Sequence, residues 1–155
     1  MAFNGERIVV LGGSSGIGLA VAQAAAREGA TVVIASSRKA RIDEALATLP
    51  TRTEGHVLDL ADGDATQALF ARLGSFDHLV FTAGETLQLG SLATTDVDTA
   101  RRFFTLRYWG ATTPPNMAAA IFGRAARSCS LLGSRGSGRR RAGRSVQAFA
   151  RRWRD

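Results

Sequence analysis

Lysine is nearly absent from this chain of 155 residues, with Lys39 the only one, and tyrosine and cysteine also occur once each, as Tyr108 and Cys129. A single cysteine excludes an internal disulfide framework and any cysteine-rich metal site, so a reducing, cytoplasmic setting is the expectation. Long apolar runs are missing too. The run Ile8–Leu11 that precedes the first glycines is too short for a signal-peptide core or a membrane span, so no membrane partner is expected. Carboxylates are absent from most of the C-terminal third: residues 111–155 carry 10 Arg against the lone Asp155, whereas residues 1–110 carry 10 Lys/Arg against 12 Asp/Glu. The formal net charge of +7 therefore arises from the last third, whose excess of positive charge outweighs the slight negative excess of residues 1–110.

What is present is enough for one globular domain, with 45% hydrophobic residues. Arg7–Gly12 is a short apolar run rich in β-branched residues that stops at glycine, the pattern of a buried parallel strand. Ile17–Arg27 follows as an Ala-rich helix, with Ile17, Val21 and Ala24–Ala25 on one stripe. Thr31–Ala35 is a second strand. Arg38–Leu49 is a second helix, with Ile42, Ala45, Leu46 and Leu49 at helical spacing and Pro50 beyond its end. His56–Leu60 reads as strand three, Gly63–Leu73 as a helix with Ala65, Ala68, Leu69 and Leu73 inward, and Asp77–Phe81 as strand four. Asp96–Tyr108 has the spacing of a further long helix, packed by Phe103, Phe104 and Trp109. Strands alternating with crossover helices predict an α/β fold, a doubly wound parallel sheet with helices on both faces.

Between strand one and helix one lies Gly12-Gly13-Ser14-Ser15-Gly16-Ile17-Gly18, spaced G-x-x-x-G-x-G. A pyrophosphate needs bare backbone and the positive end of a helix at this place. Gly12 lets the chain turn, Gly16 lets backbone approach phosphate, and Gly18 lets the helix lie close on the strand. At the end of strand two, where an NAD site places a carboxylate on the ribose 2′-hydroxyl, this chain has Ser36-Ser37-Arg38-Lys39. Hydroxyls and a guanidinium suit a 2′-phosphate, which a carboxylate would repel, so NADP(H) is expected over NAD(H).

The glycine spacing with its Ser-Ser pair, Asp59-Leu60 after strand three and Thr82-Ala83-Gly84 after strand four together resemble the short-chain dehydrogenase/reductase family over residues 6–110. The resemblance implies a Rossmann-type domain and a cofactor site formed by Gly12, Ser14, Ser15, Gly16, Ile17, Gly18, Ser36, Ser37, Arg38, Asp59, Leu60, Thr82, Ala83 and Gly84. It implies that Asp59 and the apolar residue after it contact adenine. A small carbonyl or alcohol substrate and a homo-oligomer built on the long helix are further implications. Thr82-Ala83-Gly84 stands at the place of the family's Asn-Asn-Ala-Gly, so the amide before the small pair is replaced. The family's reductases use a Ser, a Tyr and a Lys with a supporting Asn, Tyr being the general acid/base whose pKa Lys lowers. Here Arg107 stands at the Asn place and no Tyr-x-x-x-Lys occurs, so no catalytic residue is assigned.

Residues 111–155 are expected to form an irregular or disordered tail outside a nucleotide-binding half-domain of residues 1–110 with four strands. Their gain of Arg, Ala, Ser and Pro is what a GC-rich gene yields out of register. One choice of codons for Ala125–Gly133, read one base earlier, gives GGSIVLTSG, a strand of the family's kind. The same register turns Thr112–Ala126 into HAAKYGGRHLRPGG and Ala142–Arg154 into GWSVGASLCAAME, which resembles the family's active-site helix with Gly and Cys at the Tyr and Lys places. A one-base insertion or deletion near the codons for Gly110–Thr112 is the expectation, and with it a truncated, catalytically impaired protein.

Two other functions are open to the sequence. The missing catalytic pair suits a non-catalytic NADP(H)-binding protein or redox sensor. The cationic Gly133–Arg144 could bind phosphate backbones. However, Phe122, Phe149 and Trp153 are not interleaved with its arginines to stack bases, so nucleic acid is not the expected partner. His56 and His78 lie on different strands with no third ligand spaced to join them, so no metal is expected.

Overall fold

The computed structural model describes residues 3–84, 96–105 and 127–130. Along these the order is β1 (Arg7–Leu11), α1 (Gly16–Arg27), β2 (Thr31–Ser36), α2 (Lys39–Leu46), β3 (Glu54–Val57), α3 (Gly63–Leu73), β4 (His78–Phe81), α4 (Val97–Phe104) and β5 (Arg127–Ser130). The strands form one sheet in the order β3-β2-β1-β4-β5, and every neighbouring pair is parallel. β1 and β2 run in register from Arg7 opposite Thr31 to Leu11 opposite Ala35.

Both faces of the sheet are buried, which is why β1 and β2 read as continuous apolar runs rather than alternating ones. Successive side chains point to opposite faces. Val9, Leu11, Val33, Ala35, Leu79 and Phe81 pack with Leu69, Phe70 and Leu73 of α3. Ile8, Val10, Val32, Ile34 and Val80 pack with Ala22, Ala25 and Ala26 of α1 and Ile42 and Ala45 of α2. The fold is thus the Rossmann-type doubly wound parallel sheet that the sequence predicts.

Several details differ, among them α2, which was expected over Arg38–Leu49 and runs Lys39–Leu46. Strand three was expected over His56–Leu60 but runs Glu54–Val57. It is paired from Val33 opposite Glu54 to Ser36 opposite Val57, and its ladder ends where β2 ends. Asp59 and Leu60 consequently lie beyond the strand. The buried stripe of α1 is Gly18, Ala22, Ala25 and Ala26, while Ile17 is 49% exposed. The close seat of Gly18 on the turn below fixes the rotation of the helix and turns its small residues to the sheet. In α3 the buried residues are Thr66, Leu69, Phe70 and Leu73, with Ala65 and Ala68 exposed. Burying Phe70 removes more apolar surface than an alanine would, and Thr66 is tolerated inside because its hydroxyl donates to Asp62 O at 2.8 Å. Finally, Arg127–Ser130 adds a fifth strand within the segment expected to be irregular, paired with β4 from His78 opposite Arg127 to Phe81 opposite Ser130.

The expected long helix is described over Val97–Phe104, where Val97 and Phe104 are each 61% exposed. Arg107, Tyr108, Trp109, the boundary at residue 110 and the cationic Gly133–Arg144 lie outside the described residues.

Candidate functional site

Parallel strands place all their carboxyl ends on one edge of a sheet. From β1 the order runs outward through β2 to β3 on one side and through β4 to β5 on the other. The reversal between β1 and β4 leaves a crevice above their ends, the usual ligand position in sheets of this kind. The turn between β1 and α1 sits at that crevice.

The turn is held by backbone and steric contacts from three strands. Gly12 N–H donates to Ala35 O at 2.8 Å, and Thr82 N–H donates to Leu11 O at 2.8 Å. Gly12 has φ +87°, and a Cβ there would lie 2.5 Å from Ala83 N. A Cβ on Gly18 would overlap Gly12 O and the Thr82 hydroxyl, so the first turn of α1 rests directly on the glycine turn. Gly13 is also required, because its Cβ would fall 2.7 Å from Ile34 Cγ2. The spacing argument gave Gly13 no role; that a glycine stood there was the only signal, and Ile34 supplies its reason only once β2 is in place. Gly16, at φ +54°, faces open space within 4 Å.

Ser14 is buried, whereas Ser15, Gly16 and Ile17 are exposed. Ser15 is the N-cap residue of α1, but its side chain makes no cap hydrogen bond, and no acidic residue occupies the first turn. The positive dipole end of α1 is therefore left without a side-chain cap or an acidic neighbour in its first turn. By contrast α3 is closed by its own cap, Asp62, whose Oδ1 accepts from Ala65 N–H at 2.9 Å.

Ser36 is the last residue of β2, and Ser37 and Arg38 follow it, exposed, with Arg38 at the N-cap of α2. Lys39 is held by Asp43 at 2.7 Å. Arg38 has no ion-pair partner among the described residues. Asp59 is exposed two residues past β3, with Oδ1 accepting from Ala61 N–H at 2.9 Å, and Leu60 packs partly buried against the core. Thr82, Ala83 and Gly84 follow β4. Thr82 and Ala83 touch the glycine turn, while Gly84 is exposed. Thus the structure brings Gly12, Gly18, Thr82 and Ala83 into contact and sets Ser36–Arg38 and Asp59–Leu60 along the same sheet edge.

His78 starts β4, at the opposite end of the sheet from this edge, and His56 lies in β3 opposite Ala35. His78 Nε2 is 2.6 Å from Glu6 Oε2, and His56 Nδ1 is 3.5 Å from the Arg72 guanidinium. Among the described residues no three His, Cys, Asp or Glu side chains come together as a metal site would require.

A parallel sheet with a glycine-rich turn at its reversal point defines the class as a Rossmann-type α/β domain. The chain belongs to the short chain dehydrogenase family, whose profile matches residues 6–136 and so extends past the resemblance seen over 6–110. It is thereby a member of an oxidoreductase family. Over 120 residues it is 37% identical to the short-chain dehydrogenase/reductase fsr5 of Gibberella fujikuroi, a match covering 68% of this chain and 45% of that protein. Over 83 residues it is 40% identical to the D-erythrulose reductase of Gallus gallus, covering 54% of this chain and 33% of that protein. Among solved structures, a short chain dehydrogenase from Burkholderia cenocepacia J2315 in complex with NADP superposes with a TM-score of 0.78 at 27% identity, covering 97% of this chain and 64% of that one. The chain spans less than half the length of the curated relatives it matches.

Proposed function

We propose that this chain is an NADP(H)-binding member of the family that holds its cofactor without turning over a substrate. The observation that carries the binding half is the turn Gly12–Gly18, where glycine backbone faces the uncapped positive end of α1. These residues fit a dinucleotide. Gly12, Gly16 and Gly18, with the N–H groups of Ser14, Ser15 and Ile17, hold the pyrophosphate; Ser36, Ser37 and Arg38 hold the 2′-phosphate; Asp59 and Leu60 lie against adenine; and Thr82, Ala83 and Gly84 close the crevice from β4. NADP(H) supplies a hydride to, or accepts one from, a small carbonyl or alcohol in an enzyme of this family. This chain has no Tyr-x-x-x-Lys to move the accompanying proton, which separates binding from turnover.

Arg38 supports NADP(H) over NAD(H), since Asp43 engages Lys39 and leaves the Arg38 guanidinium for the 2′-phosphate. Titration of the full chain with NADPH and NADH tests this. NADPH should bind at least about tenfold tighter, a difference of about 1.4 kcal/mol, and carbonyl reduction should stay at background. Equal affinities would overturn the 2′-phosphate assignment, and steady NADPH oxidation with a carbonyl substrate would overturn the absence of turnover.

A shifted reading frame accounts for the changed composition of residues 111–155, and the pair is missing in either register, since the shifted helix carries Gly and Cys at the Tyr and Lys places. The shifted reading of Ala125–Gly133, GGSIVLTSG, puts Ser-Ile-Val-Leu on the four positions that form β5. Sequencing the gene through the codons for Gly110–Thr112 decides the matter. A one-base change relative to an open upstream register is the expected result, and a stop codon closing that register would refute it.

A further inference from the structure

We propose that Thr82 is a positioning residue for the phosphate-binding turn, acting through the Gly12 carbonyl rather than by touching the cofactor. The inference rests on the cofactor reading above and concerns how the turn is kept in shape. The two peptide groups flanking Gly12 are held in different ways. On the N-terminal side, Gly12 N–H is fixed by Ala35 O and Leu11 O accepts from Thr82 N–H, backbone partners that any sequence would supply, with the Thr82 hydroxyl added to Leu11 O. On the C-terminal side, a side chain holds the Gly12 carbonyl. The Thr82 hydroxyl lies 3.1 Å from Leu11 O and 3.4 Å from Gly12 O, and its single proton is shared between them.

The same hydroxyl and the same carbonyl line the space that a Cβ on Gly18 would occupy. Thr82, Gly12 and Gly18 are thus one packed unit joining the end of β4, the turn and the first turn of α1. The residue before the turn, Leu11, is apolar and fully buried, so β1 contributes no polar side chain to this task. With the hydroxyl removed, both peptides flanking Gly12 lose a contact to the end of β4, and the N–H groups that follow are held less firmly. A part-buried carbonyl left without this donor is also less favourable in itself, which adds to the tendency of that peptide to rotate.

The effect is local to the pyrophosphate end of the site. Ser36–Arg38 and Asp59 stand on β2 and beyond β3, and none of the hydrogen bonds of Thr82 reaches them. A fragment that carries the adenine and the 2′-phosphate but no pyrophosphate should therefore be indifferent to residue 82.

The test compares Thr82→Ser, which keeps the hydroxyl, with Thr82→Ala and Thr82→Val, which lose it, in the full chain. NADPH and adenosine 2′-monophosphate are titrated, and hydrogen exchange is followed over residues 12–19 without ligand. Ser should bind NADPH within about twofold of the parent. Ala and Val should bind it about tenfold more weakly, with unchanged affinity for adenosine 2′-monophosphate and faster exchange confined to residues 12–19. The Ser and Ala pair decides the matter even if Val does not fold, because Ala differs from Ser only by the hydroxyl. Equal NADPH affinity and equal exchange for Ser and Ala would overturn the role of Thr82 and leave the cofactor reading intact. A parent chain that binds neither ligand would overturn the cofactor reading, while the exchange comparison would still report on Thr82.

Discussion

Gly16 and Gly18 stand two residues apart in one turn, yet different physics requires each of them. A Cβ on Gly18 has nowhere to go, because the Gly12 carbonyl and the Thr82 hydroxyl already fill its place. Overpacking of this kind costs about 1–3 kcal/mol, and each kcal/mol is about 2–4 °C in a chain of this size. Gly18→Ala should therefore lower the melting temperature by several degrees and weaken NADPH binding with it. A Cβ on Gly16 meets no atom within 4 Å, and only its φ of +54° opposes a side chain. Gly16→Ala should cost about 1 kcal/mol of stability while reducing NADPH affinity more than about tenfold, since the new methyl enters the space proposed for phosphate. Thermal melts and titrations on the two variants check this, and an NADPH affinity of Gly16→Ala close to that of the parent would count against the phosphate assignment. The turn at Gly12 and the close seat of Gly18 were legible from spacing alone. The need for Gly13 was not, because Ile34 lies 21 residues further along the chain and reaches it only through the sheet.

At the scale of elements, the two helices α1 and α3 begin with opposite chemistry. Asp62 caps α3 with a hydrogen bond to Ala65 N–H at 2.9 Å, whereas Ser15 at the start of α1 makes no such bond. Replacing a capping Asp with Ala costs about 1 kcal/mol. Asp62→Ala should thus lower the melting temperature by about 2–4 °C, while Ser15→Ala should leave that of the ligand-free protein within about 1 °C. An equal fall at Ser15 would mean that its side chain does cap α1, and the start of the helix would no longer be free for an anion. The existence and order of β1, α1, β2, α2, α3 and β4 were readable because both faces of the sheet are buried and strand and helix periods differ. The faces of α1 and α3 were less so. Periodicity finds a stripe to within one residue, and the final rotation is set by contacts such as Gly18 on Gly12 and by the size of Phe70. β3 was misplaced toward His56–Leu60 because its first two residues, Glu54 and Gly55, carry no apolar signal; what makes them a strand is pairing with Val33 and Ile34.

At the scale of the whole molecule, the parallel class followed from the alternation of strand and helix, but the position of the fifth strand did not follow from its residues as written. β5 pairs with β4, placing Ser128 opposite Leu79, Cys129 opposite Val80 and Ser130 opposite Phe81, and those three partners are buried. Parallel strands in doubly wound sheets are near-continuous apolar runs, and Arg-Ser-Cys-Ser is not one. The shifted reading supplies Ser-Ile-Val-Leu at the same four positions, which is the pattern such a strand requires. The combined variant Arg127→Ser, Ser128→Ile, Cys129→Val and Ser130→Leu should therefore be more stable than the parent chain. Full burial of a Val, Leu or Ile side chain contributes about 1.5–3 kcal/mol. Even about one third of that at each of three positions, taken with about 2–4 °C per kcal/mol, raises the melting temperature by at least about 3 °C. Thermal melts of the two chains make the comparison directly. An unchanged or lower value would show that Arg127–Ser130 already suits its place beside β4, and the shifted frame would lose its structural support.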